Sequence, residues 1–344
     1  MPGKAPHPLL AFRFGAVKSR GVFDEDPAPN FFEKEALFAD RIEDATVVIL
    51  PHNFAVLDSS AREYIARYAD AAERLHVPIY AFSFTDFGDR VRFDPRVRVF
   101  RLSGYKSSIG PRDVIVPTTV REFGPHLLSL RDKRVLPMVS FCGQAGYQTP
   151  VQWCKYYLKV LLHSAAPERR LGIYWRRAAM QALKHSPLVE TNFIVRRSFS
   201  GAVRTIELPP AAARTQFISS VVESDFILAP KGDGNYSNRF IEALALGRIP
   251  VLIDTDVALP LREVVPYDNI MVRVPMEGVA HAARYVRDFY DALSEGEWKE
   301  RQRLARSVFE RYLRQSSFLM TVLANSRRLG LNTLGRPFEF QNYG

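Results

Sequence analysis

Between Phe226 and Asp256 the chain reads FILAPKGDGNYSNRFIEALALGRIPVLIDTD, and the residue types there suit the holding of an anion. Lys231 and Arg239 bring cations. Gly232 and Gly234 let the backbone approach a ligand closely, and Asn235, Ser237 and Asn238 supply short polar side chains. Glu242 lies one helical turn after Arg239, shares its face, and can accept hydrogen bonds from ribose hydroxyls. Asp233, in the same stretch, is a candidate general base. The glycine spacing matches neither G-x-G-x-x-G nor G-x-x-x-x-G-K-[ST], so the glycines alone would mark an ordinary strand-to-helix loop; Arg239 and Glu242 on one face beside Ser237 shift the reading towards a ligand site.

These residues must be positioned by a strand, a loop and a helix. The apolar run Phe226–Ala229 predicts a strand, Pro230–Ser237 a loop, Asn238–Leu246 an amphipathic helix stopped at Gly247, and Ile249–Ile253 a second strand. In such a unit the loop sits at the amino end of the helix, where unpaired N–H groups and the helix dipole favour an anion. Ser237 is placed either to cap the helix or to touch a phosphate.

The rest of the chain repeats that alternation. Leu9–Phe14 is an apolar run expected as a strand, and Phe31–Ile42 has helical spacing with Phe32, Leu37, Phe38 and Ile42 as its core face. Ala45–Pro51 reads as a buried strand, Ser59–Leu75 as a helix and Val77–Phe84 as the next strand, which is the order of a doubly wound parallel sheet. His52 and Asn53 are expected just beyond the first of these strands, and Asp86 and Asp89 beyond the second, where open α/β sheets bind ligands. His52 and Asp86 are candidate bases. Arg92–Leu102 and Asp113–Pro117 suggest two further strands, and the charged stretch Phe123–Lys133 suggests the connection between halves.

A new strand begins at Val135 and runs into Gly143 and Gln144, whose backbone N–H groups either bind a phosphate or form a plain tight turn. Gln152–His163 reads as a helix or packed insertion, Leu171–Leu183 as a helix with arginines on one side, and Phe193–Phe199 as a strand carrying the cation Arg197. Phe217–Glu223 is a short helix, Asn269–Val274 a strand, and Val279–Leu313 a long amphipathic region. Ser316–Gly330 predicts a last helix returning to the amino-terminal half.

With 344 residues, 47% hydrophobic and 24% charged, the chain suits a globular protein of two domains. Its formal net charge of +10 points to anionic partners, whether nucleotide phosphates, an acidic polymer or an anionic membrane surface. The basic residues are scattered, so a nucleic-acid partner is not expected. Cys142 and Cys154, the only cysteines, are expected in apolar surroundings, with neither a disulfide framework nor a zinc site. The amino-terminal apolar run is short for a signal peptide and no run is long enough for a membrane span. The expectation is a cytoplasmic protein, peripheral at most to a membrane.

Taken together, the order of pieces resembles the exostosin family, glycosyltransferase family 47. Asp44–Pro51 (DATVVILP), Asp113–Pro117 (DVIVP) and Ser140–Gly143 (SFCG) look like its strand markers. Ser237–Val251 (SNRFIEALALGRIPV) is similar to its S-x-R-x-x-E-A-L-x-x-G-x-x-P-V segment, and Leu259–Val265 with Asn269–Val274 resembles its next element. The resemblance implies a GT-B architecture, two Rossmann-like α/β domains facing across a cleft: an acceptor domain over 1–133, a donor-nucleotide domain over 134–315, and a tail over 316–344 that crosses back. It implies inverting transfer from a nucleotide sugar, commonly a UDP-sugar, with no metal or other cofactor required and with a glycan or lipid-linked precursor as acceptor. Ser237 and Arg239 would lie near the diphosphate and Glu242 near the ribose. Many members carry a cysteine where Arg248 stands, which puts a charge near the cleft or on its back. The lack of the cysteines and membrane anchor usual in eukaryotic exostosins fits a bacterial or viral relative.

Two other readings stay open on the residues alone. One is a catalytically silent protein of the same architecture that binds nucleotide or polysaccharide beside a partner enzyme; the other is a transferase using a GDP-sugar, as fucosyl-type enzymes do.

Overall fold

A computed structural model of the protein describes residues 37–86, 91–120, 123–124, 127–146, 150–162, 166–197 and 208–324. The expected strand Leu9–Phe14, and Asp89, lie outside them. The chain divides into two compact units. One comprises Met1–Thr119, Ala258–Val265 and Arg311–Gly344; the other comprises Val120–Val257 and Pro266–Glu310.

The first unit is built on a parallel sheet of order β1 (Val48–Asn53), β2 (Ile79–Ser83), β3 (Arg98–Arg101), β4 (Asp113–Ile115). Helix α1 (Ser59–Arg74) starts where the Asp58 carboxylate accepts a hydrogen bond from the Ala61 N–H at 2.7 Å. Its stripe Ala61, Ile65, Ala69 and Ala72 covers one sheet face, packing with Leu50, Ile79, Val97 and Val99. The other face stacks Tyr80, Phe82 and Phe100, and the last described helix, α8 (Gln315–Ala324), lays Phe318, Leu319 and Val322 on those rings.

Several expectations change here for identifiable reasons. β1 starts at Val48 and runs through Pro51, so His52 and Asn53 are inside the strand and not beyond it. Proline has no N–H to give to a ladder, but β1 is an edge strand and tolerates it. The expected strand Arg92–Leu102 shrinks to Arg98–Arg101 because Asp94 and Pro95 make a turn, closed by the Arg96 N–H donating to the Asp94 carboxylate at 2.9 Å. Of the expected helix at Phe31–Ile42, the described part is irregular until the 3-10 turn Ile42–Asp44, and Leu37 and Phe38 are exposed and not a core face. An apolar stripe forms a stable helix only where it has a surface to cover.

The second unit carries a parallel sheet of order β6-β5-β7-β8-β9, from β5 (Met138–Gln144), β6 (Glu190–Arg196), β7 (Phe226–Leu228), β8 (Ile249–Asp254) and β9 (Val272–Pro275). The helices of this unit are α2 (Pro150–Leu162), α3 (Gly172–Lys184), α4 (Pro210–Val222), α5 (Asn238–Ala245), α6 (Ala282–Asp291) and α7 (Glu295–Val308). Residues 269–271 are not strand: Tyr267–Ile270 makes one helical turn before β9. The chain passes from β5 to β6 on one side and then to β7 on the other, so the order reverses between β5 and β7. The crevice beyond the carboxyl ends of those two strands is where open α/β sheets take their ligands.

At the amino edge of this sheet a buried polar set ties the segment 129–138 to the same unit. The Asp225 carboxylate accepts from the Arg131 Nε and from the Met138 N–H, both at 2.8 Å, and Gln302 exchanges two 2.8 Å bonds with the Arg131 backbone. Arg248, only 1% exposed, donates to the carbonyls of Ser129 at 3.0 Å and Val222 at 2.9 Å. Its charge therefore stands neither beside a ligand crevice nor on the surface; it is a pin at the end of the sheet away from the β5–β7 crevice.

Because Phe318 is wholly buried against the β2 and β3 rings, Phe318→Ala should destabilise the first unit by about 3–5 kcal/mol. Urea unfolding of the full chain measures this. An unchanged midpoint would mean that α8 does not belong to that core.

Candidate functional site

The site is assembled at the carboxyl edge of β5 and β7. After β7, residues 229–237 form the loop that the sequence singled out, and Asn235 fixes it from inside. The Asn235 amide donates to the Thr255 carbonyl at 3.1 Å and accepts from the Thr255 hydroxyl at 2.7 Å, both residues being buried. Asn235 is thus placed as an anchor of the loop. The Gly232 N–H closes the turn on the Tyr236 carbonyl at 2.8 Å. Ser237 occupies the N-cap of α5 with extended backbone angles, yet its hydroxyl makes no capping bond to the helix. Of the two roles open to Ser237, capping is the one the geometry does not fill. Asp233 and Asn238 are exposed, while Gly234 is buried.

Arg239, in the first turn of α5, folds back over the end of β5. Its Nε donates to the Cys142 carbonyl at 2.9 Å, and its guanidinium lies 5.0 Å from the centre of the Phe141 ring. Gly143 permits this: a Cβ added there would stand 2.0 Å from Nη2 of Arg239. Arg176 of α3 joins from another direction. Its Nη1 donates to the Gln144 carbonyl at 2.9 Å and its Nη2 reaches the Lys231 carbonyl at 3.4 Å, while its buried Nε has no partner. Lys231 is itself buried and donates to the Glu168 carbonyl at 2.8 Å.

These cations are held by backbone carbonyls, and neither Arg176 nor Arg239 forms an ion pair among the described residues. Burial pushes the pKa of Arg176 down to about 10, with Arg239 adding to the push and Asp233 opposing it. Burial likewise lowers Lys231 to about 8, against the pull of Glu168, and lowers Arg239, against that of Glu242. A cluster of cations, each disfavoured in its charged form, is stabilised by an arriving anion.

Glu242 follows on the same helix. Its carboxylate accepts from Arg214 Nη1 of α4 at 3.1 Å, and that guanidinium lies 4.9 Å from the centre of the Phe123 ring and 5.3 Å from that of Phe217. Gln144 ends β5, its Nε2 within 3.4 Å of the Arg197 carbonyl, and the Arg197 side chain is exposed. The structure thus brings Gly143, Gln144, Lys231, Gly232 and Arg239 to one edge. Arg176, Arg214 and Thr255 belong with them and were missed. The arginines of α3 were visible in the sequence as a face, but the loop they reach lies 55 positions further on.

His52 and Asp86 belong to the first unit. Asn53 links the ends of their strands, donating to the Phe84 carbonyl at 3.1 Å and accepting from the Phe84 N–H at 2.7 Å. Asp86 is exposed. His52 is buried, with its ring edge-on to Phe54 and Tyr64. Both cysteines are free; Cys142 is buried, whereas Cys154 is exposed and not enclosed by apolar side chains.

Gly172, at the start of α3, lies against the loop so closely that an added Cβ would stand 2.3 Å from the carbonyl oxygens of both Lys231 and Gly232. Backbone cannot yield as a side-chain tip can. Gly172→Ala should therefore cost about 1–3 kcal/mol in thermal unfolding, and wild-type stability in this variant would show that α3 does not press on the loop.

Residues 174–289 match the model of the Exostosin GT47 domain, a span that holds Arg176, Arg214, the 229–237 loop, Arg239 and Glu242. Two proteins of Oryza sativa subsp. japonica called probable glucuronosyltransferases are similar in part. One is 38% identical over 63 residues, 18% of this chain and 14% of its own length; the other is 28% identical over 126 residues, 36% of this chain and 26% of its own. The chain therefore spans only a minor part of the relatives it matches. Among solved structures, a glycosyltransferase from Rickettsia africae ESF-5 aligns at TM-score 0.38 and 12% identity over 83% of this chain and 85% of that one. TarM aligns at TM-score 0.35 and 10% identity over 75% and 51%. The α/β fold class rests on this chain's own two parallel sheets. By that match, the segment 174–289 of the second unit is similar to the Exostosin GT47 domain.

Proposed function

We propose that the protein is an inverting glycosyltransferase that moves a sugar from a nucleotide diphosphate sugar, UDP-linked in the first instance, to a hydroxyl of a glycan or lipid-linked glycan precursor. The observation that carries this reading is the trio of buried Lys231 and half-buried Arg176 and Arg239, cations gathered on the backbone at the β5–β7 switch point. A diphosphate matches it in charge and in its need for N–H donors, and the amino end of α5 adds to both. The family match and the relatives' names support the same class; since those relatives are called probable glucuronosyltransferases, a hexuronate belongs among the donors to be screened.

In this mechanism the acceptor oxygen forms a bond to the anomeric carbon as the bond from that carbon to the diphosphate breaks, and the acceptor proton passes to a base. Arg239, Arg176 and Lys231 neutralise the charge that develops on the departing diphosphate, with Ser237 and the loop N–H groups as further donors. Glu242, held by Arg214, accepts from the ribose hydroxyls. The base is proposed among Asp86, Asp233 and His52; the first two are exposed, as a group that must meet an acceptor hydroxyl has to be. The chain's own cations do the work of charge neutralisation, so the reading assigns no step to a metal.

Thermal shift with UDP, GDP and CMP tests donor recognition: UDP should stabilise the fold most, and Arg239→Ala should remove that shift and lower transfer by about 100-fold or more. Unchanged transfer in Arg239→Ala would exclude the diphosphate assignment. UDP binding with neither donor hydrolysis nor transfer would leave a binding protein in place of an enzyme.

The low pKa of Lys231 gives a second test. Its folded value of about 8 lies below the 10.5 of an ordinary lysine, so without ligand the charged form is disfavoured and the fold gains stability as pH rises from about 8 towards 10.5. A bound anion reverses that preference and draws a proton onto Lys231. UDP affinity should consequently fall above pH 8, by at most about tenfold per pH unit, and Lys231→Met should flatten the dependence. A steep fall that persists in Lys231→Met would assign the titration to another group.

A further inference from the structure

Helix α2 (Pro150–Leu162) reads PVQWCKYYLKVLL, with two lysines and no acidic residue. Of the sixteen large hydrophobic residues exposed among the described residues, five are on this one helix: Val151, Trp153, Tyr157, Leu158 and Leu161. Trp153 is 48% exposed, Leu158 58% and Leu161 70%. The others stand singly or as the neighbours Leu37 and Phe38, as such residues ordinarily do on a protein surface. Of the expected helix or packed insertion, the structure gives the helix, and it turns apolar side chains outward.

Their arrangement is ordered. At about 100° per residue the five, with exposed Cys154, fill one arc of about 160°. Trp153 and Tyr157 lie one turn apart on it, ring centroids 4.4 Å from each other. By their place in the sequence Lys155 and Lys159 fall on the flank beyond Val151.

We propose that α2 is a docking surface for an anionic lipid bilayer. The outward arc can sink into the acyl boundary, its tryptophan and tyrosine are residue types that settle at membrane interfaces, and the flanking lysines suit anionic headgroups. Charge complementarity favours that occupant, since the helix carries no acidic residue and the chain has a net charge of +10. At about 1.5 Å per residue this 13-residue helix is about 20 Å long and lies in the interface, because spanning takes about 30 Å. No helix among the described residues is long and apolar enough to cross a membrane. Five residues separate Gln144 from Pro150, which tethers the start of α2 within about 20 Å of the carboxyl edge of β5, the edge that holds the site cations. The surface stands independently of the glycosyltransferase reading.

The test is co-sedimentation of the full chain with vesicles of phosphatidylcholine alone and of phosphatidylcholine mixed with phosphatidylglycerol, read also by quenching with brominated lipid. Trp175 and Trp298 are buried, so quenching reports on Trp153. The mixed vesicles should bind the chain at least about tenfold more strongly than phosphatidylcholine, with tryptophan quenched. Leu158→Glu with Leu161→Ser, both at exposed positions and both leaving Trp153 in place, should leave the melting temperature unchanged and abolish binding and quenching. Equal binding by this variant, or no binding to either vesicle, would overturn the proposal. So would a dimer in sedimentation velocity that the variant dissociates while vesicles bind neither form, which would give the face to a second copy of the chain.

Discussion

Positive charge drawn out of water is unfavourable, and at the edge of the second sheet desolvation disfavours the charged forms of Arg176, Lys231 and Arg239 against the pull of nearby carboxylates. Among their partners are carbonyl oxygens of Cys142, Gln144, Lys231 and Glu168, which orient the side chains without carrying a full opposite charge. Much of the local backbone follows from that arrangement. β5 carries Gly143 next to its last residue because the Arg239 guanidinium occupies the space of a side chain. α3 begins on Gly172 because the loop carbonyls occupy the space of another. Asn235 and Thr255 close on each other beneath the loop and keep its polar groups at the switch point.

The same residue type does opposite work at the two ends of this sheet. Arg248 is as buried as Lys231, but its carbonyl partners belong to Ser129 and Val222, and Asp225 and Arg131 stand close enough to act on its charge. It joins separate stretches of chain at the amino edge, where a parallel sheet presents no ligand crevice. Burial of a basic residue therefore does not separate a site residue such as Lys231 from a structural one such as Arg248; position along the strand direction does.

Much of this was legible in the sequence. The helix Ser59–Arg74, strands β2 and β7 and the strand-loop-helix from Phe226 to Ala245 were expected within a residue or two, because apolar period and turn residues agree there. Pro51 misled, since an edge strand accepts a proline that a central strand would not. The apolar pattern of Leu37 and Phe38 misled as well, since periodicity does not say whether a surface is available to be covered. Arg239 and Glu242 could be found because they share one helix face with Ser237. Arg176 and Arg214 could not, since their partners Lys231 and Glu242 lie on segments joined to them only by the tertiary fold.

If the trio is a diphosphate site, then the phosphates and not the base must supply most of the binding. Calorimetric titration with inorganic pyrophosphate against uridine measures this directly. Pyrophosphate should bind the wild-type chain and lose about 10- to 100-fold in Arg176→Met, the range of one charge-assisted contact, while uridine binds weakly and indifferently to the change. Uridine binding with no measurable binding of pyrophosphate would contradict the account.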